Sequence, residues 1–130
     1  MSALSGATVA LDSALSAAYA LGVLVAPACV PGGRLWAPWC FLCAVAYGLC
    51  VDGEGGGRRQ FLGLVFGTAW GVVQALVDLL TLVVVTTLDP CEQTFLKYDM
   101  AVSVAVLLVN YGALYMHRHR DDKAEPLLAA

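Results

Sequence analysis

Residues 61–88 read FLGLVFGTAWGVVQALVDLLTLVVVTTL, an apolar stretch with one ionisable side chain, Asp78. A bilayer core of about 30 Å is crossed by about 20 apolar residues in a helix. The stretch therefore predicts a membrane-spanning helix, and the chain on either side repeats the pattern. Residues 8–30, 35–51 and 99–116 are the other predicted spans. Breakers separate them: Pro31-Gly32-Gly33-Arg34, the polar run from Asp52 to Arg59 with Gly53, Gly55, Gly56 and Gly57 inside it, and Asp89-Pro90. The short second span opens on Trp36, Pro38 and Trp39, residues suited to a first helical turn and to the membrane interface. The expected fold is all-α, an integral membrane four-helix bundle of two transmembrane hairpins over residues 1–116. A short charged tail, residues 117–130, follows.

Composition points the same way. Of 130 residues, 60% are hydrophobic and 13% charged, with a mean hydropathy of +0.77. Soluble domains carry about 25% charged residues, so this chain has too few charges to coat a globule. High apolar content with a net charge of −3 excludes disorder. An isoelectric point near 5.1 gives no attraction for phosphate, so nucleic acid is not an expected partner. No Lys or Arg precedes Arg34, so the basic region of a signal peptide is missing. The first apolar segment therefore reads as an uncleaved span, although Ala26-Pro27-Ala28 resembles a cleavage site. Arg58, Arg59, Arg118, Arg120 and Lys123 fall on one side of four spans, and Arg34 and Lys97 on the other. The positive-inside rule then places both termini in the cytoplasm, at the plasma membrane or an endomembrane.

Two stripes mark the third span. Gly63, Gly67, Gly71 and Ala75 recur every fourth residue, a small-residue face that lets helix backbones approach closely. It serves either packing inside the bundle or an interface with a partner helix. Beside it, Trp70, Gln74, Asp78 and Thr81 share a face by their spacing of three and four. An ionisable group in the bilayer core costs roughly 2.5–3.5 kcal/mol, so Asp78 must face protein or water. With the fourth span starting at Asp99, Asn110 lies at the depth of Asp78, and an Asp78–Asn110 hydrogen bond is expected. The functional reading of Asp78 is a proton or cation site. Asp12, with Ser13 and Ser16, is placed at the cytoplasmic end of the first span and read as structural.

The cysteines are Cys29, Cys40, Cys43, Cys50 and Cys91. All but Cys50 fall toward the non-cytoplasmic side, where disulfides persist, and Cys29 can be bridged to Cys91. Cys40 and Cys43 form a C-x-x-C at a helix start, a setting that can activate a thiol. The run Pro38-Trp39-Cys40-Phe41-Leu42-Cys43 resembles the DsbB family of quinone-coupled thiol oxidases, four-helix membrane proteins with a C-x-x-C at this place. That resemblance implies a redox site of Cys40 and Cys43 relayed through Cys91. The family has a second cysteine pair between spans three and four, where this chain has Cys91 alone.

The overall layout resembles the type-1 angiotensin II receptor-associated protein family. The matching positions are Trp36-Ala37, Phe61-Leu62-Gly63, Asp78 and the closing run from Tyr115 and Met116 to His117-Arg118-His119-Arg120. This resemblance implies a modulator of trafficking or signalling rather than an enzyme. The His/Arg run itself reads as a basic flank for anionic lipid, since two histidines are too few for a metal site. Glu125-Pro126-Leu127-Leu128 hints at a dileucine sorting signal. No phosphate-binding, nucleophile-elbow, zinc-protease or dinucleotide motif occurs, so neither cofactor nor metal is expected.

The leading expectation is a non-enzymatic membrane adaptor or modulator. Its partners are lipid and either another membrane protein or a second copy, met through span three. The alternatives are a membrane thiol-disulfide oxidoreductase using Cys40 and Cys43, and a small proton-linked channel or transporter using Asp78.

Overall fold

The computed structural model describes residues 3–51 and 56–128. Its elements are four α-helices: α1 (Ala3–Val25), α2 (Trp36–Val51), α3 (Gly56–Val84) and α4 (Pro90–Leu128). Two short 3-10 turns, Pro27–Cys29 and Gly33–Leu35, connect α1 to α2. The described residues contain no strand. Four helical segments are long and apolar enough to cross a membrane: Leu4–Val25, Gly33–Val51, Gly57–Val84 and Pro90–His119.

Local chemistry sets the helix ends. Proline disfavours helical backbone in the residue before it, and Ala26, before Pro27, leaves the helix at φ −127°, ψ 60°. The reversal into α2 then passes through Gly32 and Gly33 with φ of 80° and 57°. That region is open to glycine without steric cost. At the start of α4, the Glu92 amide donates to Asp89 Oδ1 at 2.9 Å and the Asp89 amide donates to Glu92 Oε2 at 3.0 Å. This is a capping box, with Pro90 in the first helical position. It starts α4 nine residues before Asp99, where the apolar stretch begins.

The helix ends differ from the expected spans in both directions, and α3 begins at Gly56 and ends at Val84, short of residue 88. α1 begins at Ala3 rather than near residue 8 and ends at Val25, and α4 continues to Leu128. The loop residues 52–55 lie outside the described residues. α2, at 16 residues, is about 24 Å long.

The molecule is two antiparallel hairpins, α1 with α2 and α3 with α4, laid against each other. Ser13 Oγ donates to the Ala44 carbonyl at 2.8 Å, tying α1 to α2. Val9, Cys43, Tyr47, Leu64 and Ala113 form a buried cluster toward the N-terminal end of α1. Val23, Val30 and Ala37, with Trp36 and Phe95 against them, form a second cluster at the opposite end. There the Cys29–Cys91 disulfide joins the two hairpins.

The glycine stripe is consumed inside the chain. A Cβ on Gly63 would lie 3.0 Å from Cys50 Cβ and 3.1 Å from Val9 Cγ2. On Gly67 it would lie 2.5 Å from Asn110 Oδ1, and on Gly71 2.9 Å from Leu107 Cβ and 3.0 Å from the Ser103 carbonyl oxygen. All three glycines are buried, and Ala75 is half-buried. Of the two uses the stripe allowed, the structure shows packing within the bundle, mostly of α3 on α4. A partner helix has to use another face.

Candidate functional site: an acidic cavity between the hairpins

The α3–α4 register decides which polar residues meet. Gly67 faces Asn110, and Asp78 and Asp99 meet through Gln74. Eleven residues, about 16 Å of helix, separate each pair of positions on its own helix. The expected Asp78–Asn110 bond is therefore not formed. It rested on Asp99 as the start of the fourth helix. The helix starts at Pro90, and Asn110 stands eleven residues, about three turns, beyond Asp99, the residue that meets Asp78. Asn110 Nδ2 donates instead to the Val106 carbonyl of its own helix at 2.9 Å, and its side chain lies beside Asp12.

Asp78 meets Gln74 and Asp99. Gln74 stands one turn before Asp78 on α3, and its Nε2 donates to Asp78 Oδ1 at 3.0 Å and to Asp99 Oδ2 at 3.1 Å. One amide thus bridges two carboxyl groups on neighbouring helices. Asp78 is 1% exposed, and its Oδ2 has no hydrogen-bond partner. Tyr19 of α1 turns its hydroxyl to Asp99, and its ring packs edge-on to Phe95 at 6.5 Å.

These groups line a partly open cavity of about 120 Å³. Its other lining residues include Asp12 of α1 and Trp36, Trp39, Cys40 and Tyr47 of α2. The whole polar stripe of α3, Trp70, Gln74, Asp78 and Thr81, faces it, as the helical spacing requires. Trp39 and Trp70 pack together with ring centres 5.4 Å apart and planes tilted by 48°. Asp12 and Tyr47 are 4% and 2% exposed, and Asp12 Oδ2 and the Tyr47 hydroxyl have no protein partner. None of the lining residues is basic. The cavity reaches Pro31 and Trp36 at the disulfide end. In the other direction, the cluster of Val9, Tyr47, Leu64 and Ala113 lies beyond Asp12.

Sequence reasoning missed three of these residues. Asp99 was expected to mark a helix end, yet it lies nine residues inside α4. Asp12 is expected at the cytoplasmic end of the first span, but α1 begins at Ala3 and carries Asp12 about 13 Å into the helix. Tyr19 belongs to no motif or stripe that the sequence reveals. The Asp89-Pro90-Cys91-Glu92 capping box was the signal that could have set the register of α4 and so revealed Asp99.

The cysteines divide by place. Cys91 is bonded to Cys29, at the end of the bundle where the two hairpins join. Cys40 and Cys43 line the cavity as free thiols, and Cys50 packs near Gly63. Among the described residues no group of three or more His, Cys, Asp or Glu side chains has an arrangement that could hold a metal ion. Compared with protein-family models, with curated proteins and with solved structures, the chain matches none.

Proposed function

We propose that the chain is an integral membrane protein whose interior carboxyl pair takes up and releases a proton, the core of a small proton-linked carrier. The observation that carries this reading is the Gln74 bridge between Asp78 and Asp99, set in a cavity without a basic side chain. Two carboxyl groups held this close, with no cation to neutralise them, can share a single proton. Ionisable residues inside a membrane bundle are costly, and they mark ion or proton pathways.

Membrane insertion is supported by the outer surface. Leu21, Leu42, Leu80 and Leu108, one on each helix, are more than half exposed. Contiguous apolar surface on this scale belongs against lipid. Orientation is supported by two features that agree. The disulfide lies at the end that carries Arg34 and Lys97, and the end with Arg58, Arg59 and Arg118 is the more basic. Disulfides persist on the oxidising side and basic flanks stay in the cytoplasm, so both termini are cytoplasmic. The adaptor reading would need a partner surface other than the glycine stripe, which the chain covers itself.

Infrared spectroscopy of the full chain in lipid nanodiscs, titrated with pH, tests the proposal. The expected result is a carboxyl C=O band that changes with pH and is lost in Asp78→Asn. That substitution leaves Asp99 with amide neighbours and no second carboxyl to share a proton. A wild-type spectrum without such a band, or a band unchanged in Asp78→Asn, overturns it.

A further inference from the structure

Three carboxyl groups and a set of aromatic rings from four helices converge on one cavity, more acid than a shared proton requires. Asp12 stands apart from the Asp78–Asp99 pair on α1, and like Asp78 it keeps a buried oxygen without a partner. An unpaired buried acceptor is costly, which argues for a donor or a cation that completes it. The cavity walls also carry aromatic rings: Trp36 and Trp39 on α2, Trp70 on α3, Phe95 on α4 and Tyr19 on α1. Ring faces attract cations, most strongly quaternary and other organic ammonium groups, which are weakly hydrated. A bare metal ion finds no suitable cluster of ligands among the described residues. An apolar cavity of about 150 Å³ admits a molecule the size of benzene. The cavity here, about 120 Å³ and partly open, suits a ligand of about the same size.

We infer that the cavity takes a small organic ammonium ion, held between Asp12 and the Asp78–Asp99 pair and flanked by Trp39 and Trp70. This inference rests on the proton-linked reading and names the ion that exchanges with the proton. One positive charge enters and the shared proton leaves, so the charge of the site is unchanged. The titratable groups that face the ligand are Asp12 and Tyr19 of α1, Cys40, Cys43 and Tyr47 of α2, Asp78 of α3 and Asp99 of α4. None is a base that would repel it.

The chain supplies its own reporter. All 3 of its tryptophans, Trp36, Trp39 and Trp70, line the cavity. The experiment titrates the full chain in nanodiscs with tetramethylammonium, following tryptophan fluorescence, and repeats it with tert-butanol, a neutral molecule of similar shape. The expected result is a saturable change with the cation, none with the alcohol, and at least about tenfold weaker binding in Asp78→Asn. Equal responses to both molecules, or none to the cation, overturn the inference, and neither result depends on a variant that folds. The pH-responsive carboxyl band, recorded on the same nanodiscs, separates the two proposals. If the band is present and the cation does not bind, the ammonium site falls and the proton site stands. If the band is absent, the proton-linked reading falls, and the fluorescence still decides whether the cavity binds the cation.

Discussion

Gln74 is the residue on which the acidic site turns. Its amide is the common donor to Asp78 Oδ1 and Asp99 Oδ2. Gln74→Leu puts a somewhat shorter apolar side chain in its place and removes that donor. Buried acceptors left without a donor cost about 1–3 kcal/mol, so a loss of this order is expected in denaturant unfolding of the detergent-solubilised chain. A variant as stable as the wild type would mean that water replaces the amide. Gly71 tests the packing beside it. The nearest atoms to a Cβ there include the Ser103 carbonyl and Leu107 Cα of α4, backbone that cannot step aside. Gly71→Val should cost about 1–3 kcal/mol through overpacking, read in the same unfolding assay. Gly22, with nothing within 4 Å of a Cβ, is the matched control and should tolerate alanine.

At the scale of elements, the capping box governs the site from a distance. It fixes where α4 begins, and the start of α4 determines that Asp99 rather than Asn110 faces Asp78. Asp89→Ala removes the side-chain acceptor for the Glu92 amide, and losing such a cap costs about 0.5–2 kcal/mol. Amide hydrogen exchange should show faster exchange in the first turn of α4 in this variant. Protection unchanged from the wild type would count against the cap. The four helices were legible in the sequence because apolar runs between Pro, Gly and charged breakers report membrane-length helices well. Helix ends were not, because hydropathy finds the apolar centre of a helix and ignores its polar turns. Asp78 and its stripe with Trp70, Gln74 and Thr81 were legible from spacing alone. Its partner was not, since an error of nine residues in the start of α4 exchanges one buried polar residue for another.

For the whole molecule, the disulfide and the cavity belong to one design. Cys29 and Cys91 are 62 residues apart and tie together the two hairpins whose interface holds the cavity. Closing a loop of that length stabilises by about 2–4 kcal/mol, which Cys29→Ser should forfeit in thermal unfolding. Alkylation of the denatured chain should reach Cys40, Cys43 and Cys50 without reductant, and Cys29 and Cys91 only after reduction. Labelling of all five cysteines without reductant would remove the clasp. The possibility of this pairing was legible from the placement of the cysteines, but which thiols pair depends on where the helices end. The functional reading depends on whether Asp78 and Asp99 are a single site. The deciding measurement is the pH-dependent infrared spectrum of the wild type, Asp78→Asn, Asp99→Asn and the double variant in lipid nanodiscs. If the carboxyl groups share one proton, either single substitution removes the same band and the double variant removes nothing more. Two bands that titrate independently, each lost only with its own aspartate, would contradict the shared site.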